Sequence, residues 1–184
     1  TELLEIAPLG AINIHPSLLP KYRGPSPVIT TVLQGDAITG VTVMRLDDGM
    51  DTGPIVAQRK TKVLCGETAG ELTRRLFELG AELLTDTLPL LEKGEIALLQ
   101  QREAEASLTR LYTAADGEMN WSFSTGELER HVRAFDPWPG SFTYWKGSHL
   151  KILKAKSVKL DTDSAKVGHV IPIKLGNNMG AGVV

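Results

Sequence analysis

Ala11-Ile-Asn-Ile-His-Pro-Ser-Leu-Leu-Pro20 and Asp47-Asp-Gly-Met-Asp-Thr-Gly-Pro54 are the two stretches from which the fold and chemistry of this chain are read. Ile12 to His15 reads as the end of a buried strand, because apolar residues flank polar ones and Pro16 cannot donate to a ladder. Side chains alternate along a strand, so Asn13 and His15 project from the same face. An amide beside an imidazole at a strand end, just before a turn-rich loop, is costly to bury unless something uses it. The acidic, glycine-rich loop after Met44 can add a carboxylate. Asn, His and Asp together supply a neutral hydrogen-bond donor, a group that titrates near neutrality and a carboxylate to orient it. That set suits acyl transfer, where a tetrahedral intermediate develops negative charge on oxygen. The letters alone do not choose among Asp47, Asp48 and Asp51. A satisfied structural histidine beside a solvated turn would be written the same way.

Three segments in order, Asn13-Ile-His-Pro-Ser-Leu-Leu-Pro-Lys-Tyr-Arg-Gly24, Gly40-Val-Thr-Val-Met44 and Asp48-Gly-Met-Asp-Thr-Gly-Pro54, resemble the 10-formyltetrahydrofolate-dependent formyltransferases. In that family an Asn-x-His pair and a later Asp form a catalytic trio, which the resemblance carries onto Asn13, His15 and Asp51. The match selects Asp51 over its neighbours, and Asp47, Asp48 and Gly49 are then expected in a loop near the folate. Further along, Asp116-Gly-Glu-Met-Asn-Trp121 and Arg130-His-Val-Arg-Ala-Phe-Asp-Pro-Trp-Pro-Gly140 resemble the second domain of the methionyl-tRNA formyltransferases. The likeness runs from about Ala11 to about Ala155.

The resemblance implies an α/β protein. Residues 1–98 would be the C-terminal part of a doubly wound, Rossmann-like formyltransferase domain, 99–111 a linker and 112–184 a small open, OB-like β-barrel, itself incomplete. In open α/β sheets the ligand lies at the carboxyl ends of the strands, which puts the site at His15. The implied reaction moves a formyl group from 10-formyltetrahydrofolate, a cosubstrate, to the amine of methionyl-initiator tRNA, with no metal. A monomer in the bacterial cytoplasm or the mitochondrial matrix is the corresponding expectation. Sugar-amine formyltransferases and the hydrolase region of formyltetrahydrofolate dehydrogenase share the trio and a second domain, so they are the nearest rivals. Glycinamide ribonucleotide formyltransferase lacks such a domain. A rival of another class is a silent fragment serving only as an RNA-binding module. Formyltransferases carry several βα units ahead of the trio strand, so the chain is expected to be a fragment that transfers formyl groups negligibly on its own.

Composition narrows the partners. The chain has 184 residues, 42% of them hydrophobic and 23% charged, which is ordinary for a globular protein. A net charge of −2 gives no global attraction to nucleic acid, so any RNA contact has to come from a local basic patch. The single cysteine, Cys65, excludes an internal disulfide and is expected to be a small buried hydrophobe. No apolar run reaches the ~20 residues that a membrane-spanning helix needs.

Along the chain, Ser26 to Leu33 is a short helix ending near Gly35, and Gly40–Met44 and Pro54–Val63 are strands of a hairpin-like unit with Asp51 at its tip. Thr68-Ala-Gly-Glu71 is a capping box, followed by Leu72, Leu76, Leu83, Leu84 and Leu88 at helical spacing, with Pro89 or Gly94 as the stop. Glu95 to Leu111 is charged and aperiodic, as a linker would be. Ser124-Thr-Gly-Glu127 opens a second capped helix through Leu128, Val132 and Phe135. Ser141–Trp145 and His149–Lys156 alternate as a hairpin, which would put Lys154 and Lys156 on one face. Lys21 and Arg23 beside the trio strand, and Lys154 and Lys156 on the hairpin, are the candidate tRNA-backbone contacts. Trp138 is expected to pack across the domain junction rather than stack on a base.

Overall fold

The computed structural model describes Leu4, Ile6 and residues 10–158, 166–175 and 178–184. Strand β1, Ile12–His15, lies at the edge of a three-stranded antiparallel sheet in the order β1-β2-β3. β2 is Ile38–Arg45 and β3 is Ile55–Lys62. Asn13 sits opposite Met44 and His15 opposite Thr42, and a register shift at Val43/Met44 bends the hairpin just before its loop. The strands described here are antiparallel, so the expected doubly wound parallel sheet is not represented among them.

Between β1 and β2 runs helix α1, Pro27–Gln34, whose proline starts the helix where its missing N–H costs nothing. The long helix α2, Ala69–Glu92, begins with the expected capping box: Thr68 accepts from the Glu71 amide, and the Glu71 carboxylate accepts from the Thr68 amide. Its buried stripe is Ala69, Leu72, Leu76, Gly80, Leu83 and Thr87. The stripe lies against the sheet, and at Gly80 a Cβ would overlap Ile14, so glycine lets helix and trio strand approach closely. Leu84 is only partly buried and Leu88 is exposed, because the stripe drifts off the short sheet. The helix also runs through Pro89 before ending at Glu92; near a C-terminus the proline removes only one late backbone bond. Cys65 is exposed in the turn before α2, contrary to the burial expected of it.

The segment expected to be a plain linker is bound along its length. Leu99 exchanges two backbone hydrogen bonds with Ile55, at 2.8 and 2.9 Å. Leu108 then bridges Arg23, with Arg23 N donating to Ser107 O at 2.8 Å and Thr109 N to Arg23 O at 2.7 Å. Charge and aperiodicity here reflect an exposed outer face on a segment held through its backbone.

The second unit is built around helix α3, Thr125–Ala134, again opened by a capping box, from Ser124 and Glu127. Its core gathers Tyr112, Met119, Val132 and Phe135. Buried His131 ties three pieces together, facing Ser141 Oγ at 3.1 Å and the Asp116 carbonyl at 3.0 Å, edge-on to Phe135. Strands β4, Ser141–Trp145, and β5, Ser148–Ile152, form one hairpin; β6, Val170–Leu175, and β7, Asn178–Val183, form another. Among the described residues these are two separate two-stranded sheets, and no pairing joins them into the open barrel expected. β5 stops at Ile152, so Lys154 and Lys156 lie beyond it and share no strand face.

The two units meet through α3. Ala134 enters the cluster of Val28, Val32, Ala69, Leu72 and Leu76. Arg130 Nε donates to Leu33 O at 2.9 Å, Arg133 to Glu67 O at 3.0 Å, and the Gly70 amide to Asp136 O at 3.0 Å. Pro137 reaches this seam against Gly70, whereas Trp138 is 54% exposed and does not pack across the junction.

Candidate active site

β1 ends at His15, and Pro16 turns the chain into a loop that the hairpin grips from below. Buried Thr42 donates to Ser17 O at 2.7 Å and accepts from Leu19 N at 3.1 Å, while Gln58 Nε2 donates to Leu19 O at 2.8 Å. The loop therefore comes back over β1 with little freedom. At its far end Tyr22 takes a left-handed conformation, φ 63°, which a bulky residue adopts only when its surroundings enforce it. Its amide donates to Ser107 Oγ at 2.9 Å and its carbonyl faces His15 Nε2 at 2.9 Å.

The second loop joins β2 to β3. Asp47 organises it, accepting from Gly49 N at 3.1 Å and Thr52 Oγ1 at 2.7 Å. Gly53 passes so close to Arg45 that a Cβ would overlap the Arg45 carbonyl oxygen. Asp51 is also left-handed, φ 55°, and this turns its carboxylate back toward β1. Asp51 Oδ2 accepts from Gly24 N at 2.7 Å and lies 3.5 Å from His15 Nδ1.

Asn13, His15 and Asp51 thus line one cleft of about 430 Å³ with Gly24, Ser26 and Phe77. His15 is 4% exposed and both ring nitrogens face oxygen acceptors: a backbone carbonyl on Nε2 and the Asp51 carboxylate on Nδ1. The shorter contact assigns an N–H to Nε2, which leaves the Nδ1 edge, with its looser 3.5 Å partner, as the one that can serve a ligand. The Asn13 amide makes no hydrogen bond to another described residue, so its donors are available to the cleft. Two donors and a carboxylate around an open volume fit the oxygen and the attacking nitrogen of an acyl transfer.

The remaining candidates fall elsewhere. Asp48 and Gly49 are exposed on the loop, away from the cleft lining. Lys21 is paired with Asp36 at 2.7 Å and lies over the Tyr22 ring. Arg23 is turned inward, 3% exposed, and bonded to Gln101 and Glu103. Lys154 and Lys156 are exposed, and Lys156 lines a second cleft of about 490 Å³ between the units, beside Arg130. Sequence reading passed over Gln101, Ser107 and Thr109, which brace both loops. Their partners are distant backbone groups, and such bonds leave no periodic trace. Among the described residues no group of three or more His, Cys, Asp or Glu is placed to hold a metal ion.

A polar trio at a strand end, on an α/β unit followed by a smaller helix-and-hairpin unit, defines a group-transfer architecture. The chain belongs to the formyltransferase family: the formyl transferase profile matches residues 1–88, and the profile of the formyl transferase C-terminal domain matches residues 112–178. It is 47% identical over 169 residues to a methionyl-tRNA formyltransferase of Chloroflexus aggregans, covering 92% of this chain and 54% of that protein. It is 48% identical over 157 residues to the methionyl-tRNA formyltransferase of a Roseiflexus species, covering 85% of this chain and 48% of the relative. The chain therefore spans about half the length of the curated relatives it matches. In fold it is similar to an N-formyltransferase of Helicobacter canadensis solved with folinic acid and dTDP-3-aminofucose (TM-score 0.70, 22% identity, covering 91% of this chain and 60% of the other). It is likewise similar to HypX of Aquifex aeolicus solved with tetrahydrofolic acid (TM-score 0.69, 22% identity, covering 87% of this chain and 28% of the other).

Proposed function

We propose that this chain carries the formyl-transfer trio and second unit of a methionyl-tRNA formyltransferase, moving a formyl group from 10-formyltetrahydrofolate to the amine of methionyl-initiator tRNA. The observation that carries the reading is the convergence of Asn13, His15 and Asp51 on one cleft. The relatives at 47–48% identity carry the choice of amine substrate. In the intact protein the three-stranded sheet would extend a Rossmann-like sheet, and the two hairpins would contribute to an OB-like barrel.

The donor set fits a formyl oxygen. The Asn13 amide and the Nδ1–H of a protonated His15 donate to that oxygen as the amine adds and charge gathers on it. Donors of this kind are worth ~3 kcal/mol each in comparable sites. Asp51 balances the His15 charge and, directly or through a water, takes the proton that the amine nitrogen gives up once it has added to the formyl carbon. That proton then goes to the N10 nitrogen as the bond from N10 to the formyl carbon breaks, so the amine is formylated and tetrahydrofolate leaves. The folate supplies an already activated formyl group. Lys154 and Lys156, both exposed and the latter on the cleft between the units, are the side chains proposed to meet tRNA phosphates. Lys21 and Arg23 are engaged in ion pairs and contribute to the loop instead.

The deciding assay offers the intact protein 10-formyltetrahydrofolate with methionyl-initiator tRNA or with a nucleotide-linked amino sugar. Saturable formylation of the tRNA alone is the expected result. Preference for the amino sugar would replace this reading with the sugar-amine one, and free formate as the main product would replace it with a hydrolase.

A further inference from the structure

Among the groups that brace the site, Gln101 has bonds to both of the loops that flank the trio. Its Nε2 donates to two carbonyl oxygens of the acidic loop, Asp51 O at 2.8 Å and Gly53 O at 2.7 Å. Its Oε1 accepts from Arg23 Nε, on the other loop, at 3.0 Å. The neighbours of Arg23 complete the circuit: Gly24 N donates to the Asp51 carboxylate, and Tyr22 O receives His15. We propose that Gln101 is a positioning residue for formyl transfer, setting the separation of the two loops and so the place of the Asp51 carboxylate beside His15. The proposal rests on the reading of Asn13, His15 and Asp51 as the catalytic trio.

Three physical reasons converge on this role. A primary amide is the side chain that offers two donors from one atom while accepting with the other. Two carbonyls and a guanidinium are what Gln101 meets, so neither Glu nor Leu can replace it fully. Asp51 holds a left-handed backbone that favours glycine, and such a conformation persists only when surrounding bonds over-determine it. The two Gln101 bonds fall on carbonyls either side of the Asp51–Gly53 turn and supply that constraint. The Arg23 guanidinium is buried and needs acceptors, so it fixes the oxygen end of Gln101 in return. Gln101 does not line the cleft, so it acts through Asp51 and not on the substrate.

The test compares Gln101→Leu and Gln101→Glu with the unaltered intact protein, alone and combined with Asp51→Asn. Both variants lose the donors, and Gln101→Glu keeps the acceptor for Arg23, so a folding defect confined to one leaves the other to decide. Displacement of a reacting group by an ångström costs up to ~100-fold; partial release of one loop is expected to lower kcat ~10-fold, with the KM for the formyl donor changed less than about twofold. In the Asp51→Asn background the same changes should alter kcat less than about twofold, because the group they position is already lost. Amide exchange at Gly24, whose N–H meets the Asp51 carboxylate, should accelerate by ~10-fold in either variant. That arm needs no substrate. If the unaltered protein fails to transfer formyl groups, the trio reading falls while the exchange result still decides the brace. Unchanged kcat and Gly24 protection in both variants would overturn the proposal. So would a ~10-fold loss that persists undiminished in the Asp51→Asn background, since that shows a role unconnected with Asp51.

Discussion

At His15 the two ring nitrogens have unequal partners, and the chemistry follows from the difference. The Tyr22 carbonyl at 2.9 Å holds the ring in one orientation, and the Asp51 carboxylate at 3.5 Å leaves the other nitrogen usable. His15→Ala and Asn13→Ala, each in the intact enzyme, are expected to lower kcat by ~100-fold or more while tRNA affinity stays nearly constant, because their bonds strengthen in the transition state. Steady-state kinetics alongside a tRNA binding isotherm check this; equal losses in both would assign the residues to substrate binding. Asn13 and His15 were legible because a strand puts alternate residues on one face. The choice of Asp51 came from likeness to a family, since three aspartates in one loop are equivalent to composition and spacing. Structure adds the reason: Asp51 has the left-handed backbone that turns a carboxylate inward, while Asp47 is spent on the turn itself.

Among elements, α2 shows how local signals and tertiary packing divide the work. Its start was readable from Thr68 and Glu71, because a capping box satisfies neighbouring amides wherever it occurs. Of the two stops read for its end, Pro89 is passed, because a proline so late in a helix removes one bond, and Gly94, left-handed at φ 71° just beyond Lys93, closes it. Thr68→Ala is expected to cost about 1 kcal/mol of folding stability, and Leu76→Ala, at a fully buried position, about 2–5 kcal/mol. Denaturant melts of both variants would separate them; a smaller effect at Leu76 than at Thr68 would show that the helix face is not the core described. The second hairpin strand was read too long for a related reason. Alternation continues past Ile152, but the partner strand begins at Ser141, opposite Ile152, so Lys154 and Lys156 follow the chain off that hairpin.

Across the molecule, α3 is the part on which both units depend. It lends Ala134 to the core of the first unit and Arg130 to the end of α1, a helix with no basic residue in its own last turn. Within the second unit it presents His131, which burial holds below the ordinary imidazole value of 6.5, against a smaller upward pull from the Asp116 carbonyl and carboxylate. The unfolded chain therefore takes up a proton more readily than the folded one. Stability from this group is fully present above the ordinary value of 6.5 and is lost as pH falls through the lowered folded value. Thermal melts from pH 7 downward should show that loss, and His131→Gln should flatten it; an unchanged slope would place the pH dependence elsewhere. If the surface lysines meet RNA, Lys154→Ala and Lys156→Ala should each reduce the salt slope of tRNA binding by ~0.7–0.9. The couplings of Arg130 to Leu33 and of His131 to Asp116 could not be read ahead of the structure, because each joins separated residues through a backbone carbonyl.

The pairing of Tyr22 with Ser107 carries a consequence for synthesis. The two residues are 85 positions apart, so at ~5–20 residues per second a nascent chain waits roughly 4–17 s between making one partner and the other. During that interval β1 and the hairpin can form and hold Ser17 and Leu19, yet Tyr22 and Arg23 lack the partners that Gln101, Ser107 and Thr109 later supply. Nascent chains halted with residue 98 clear of the ribosome should be cut by protease within residues 20–26, and those halted with residue 109 clear should resist. The stretch from Pro20 to Ser26 would then be among the last parts of the first unit to take shape.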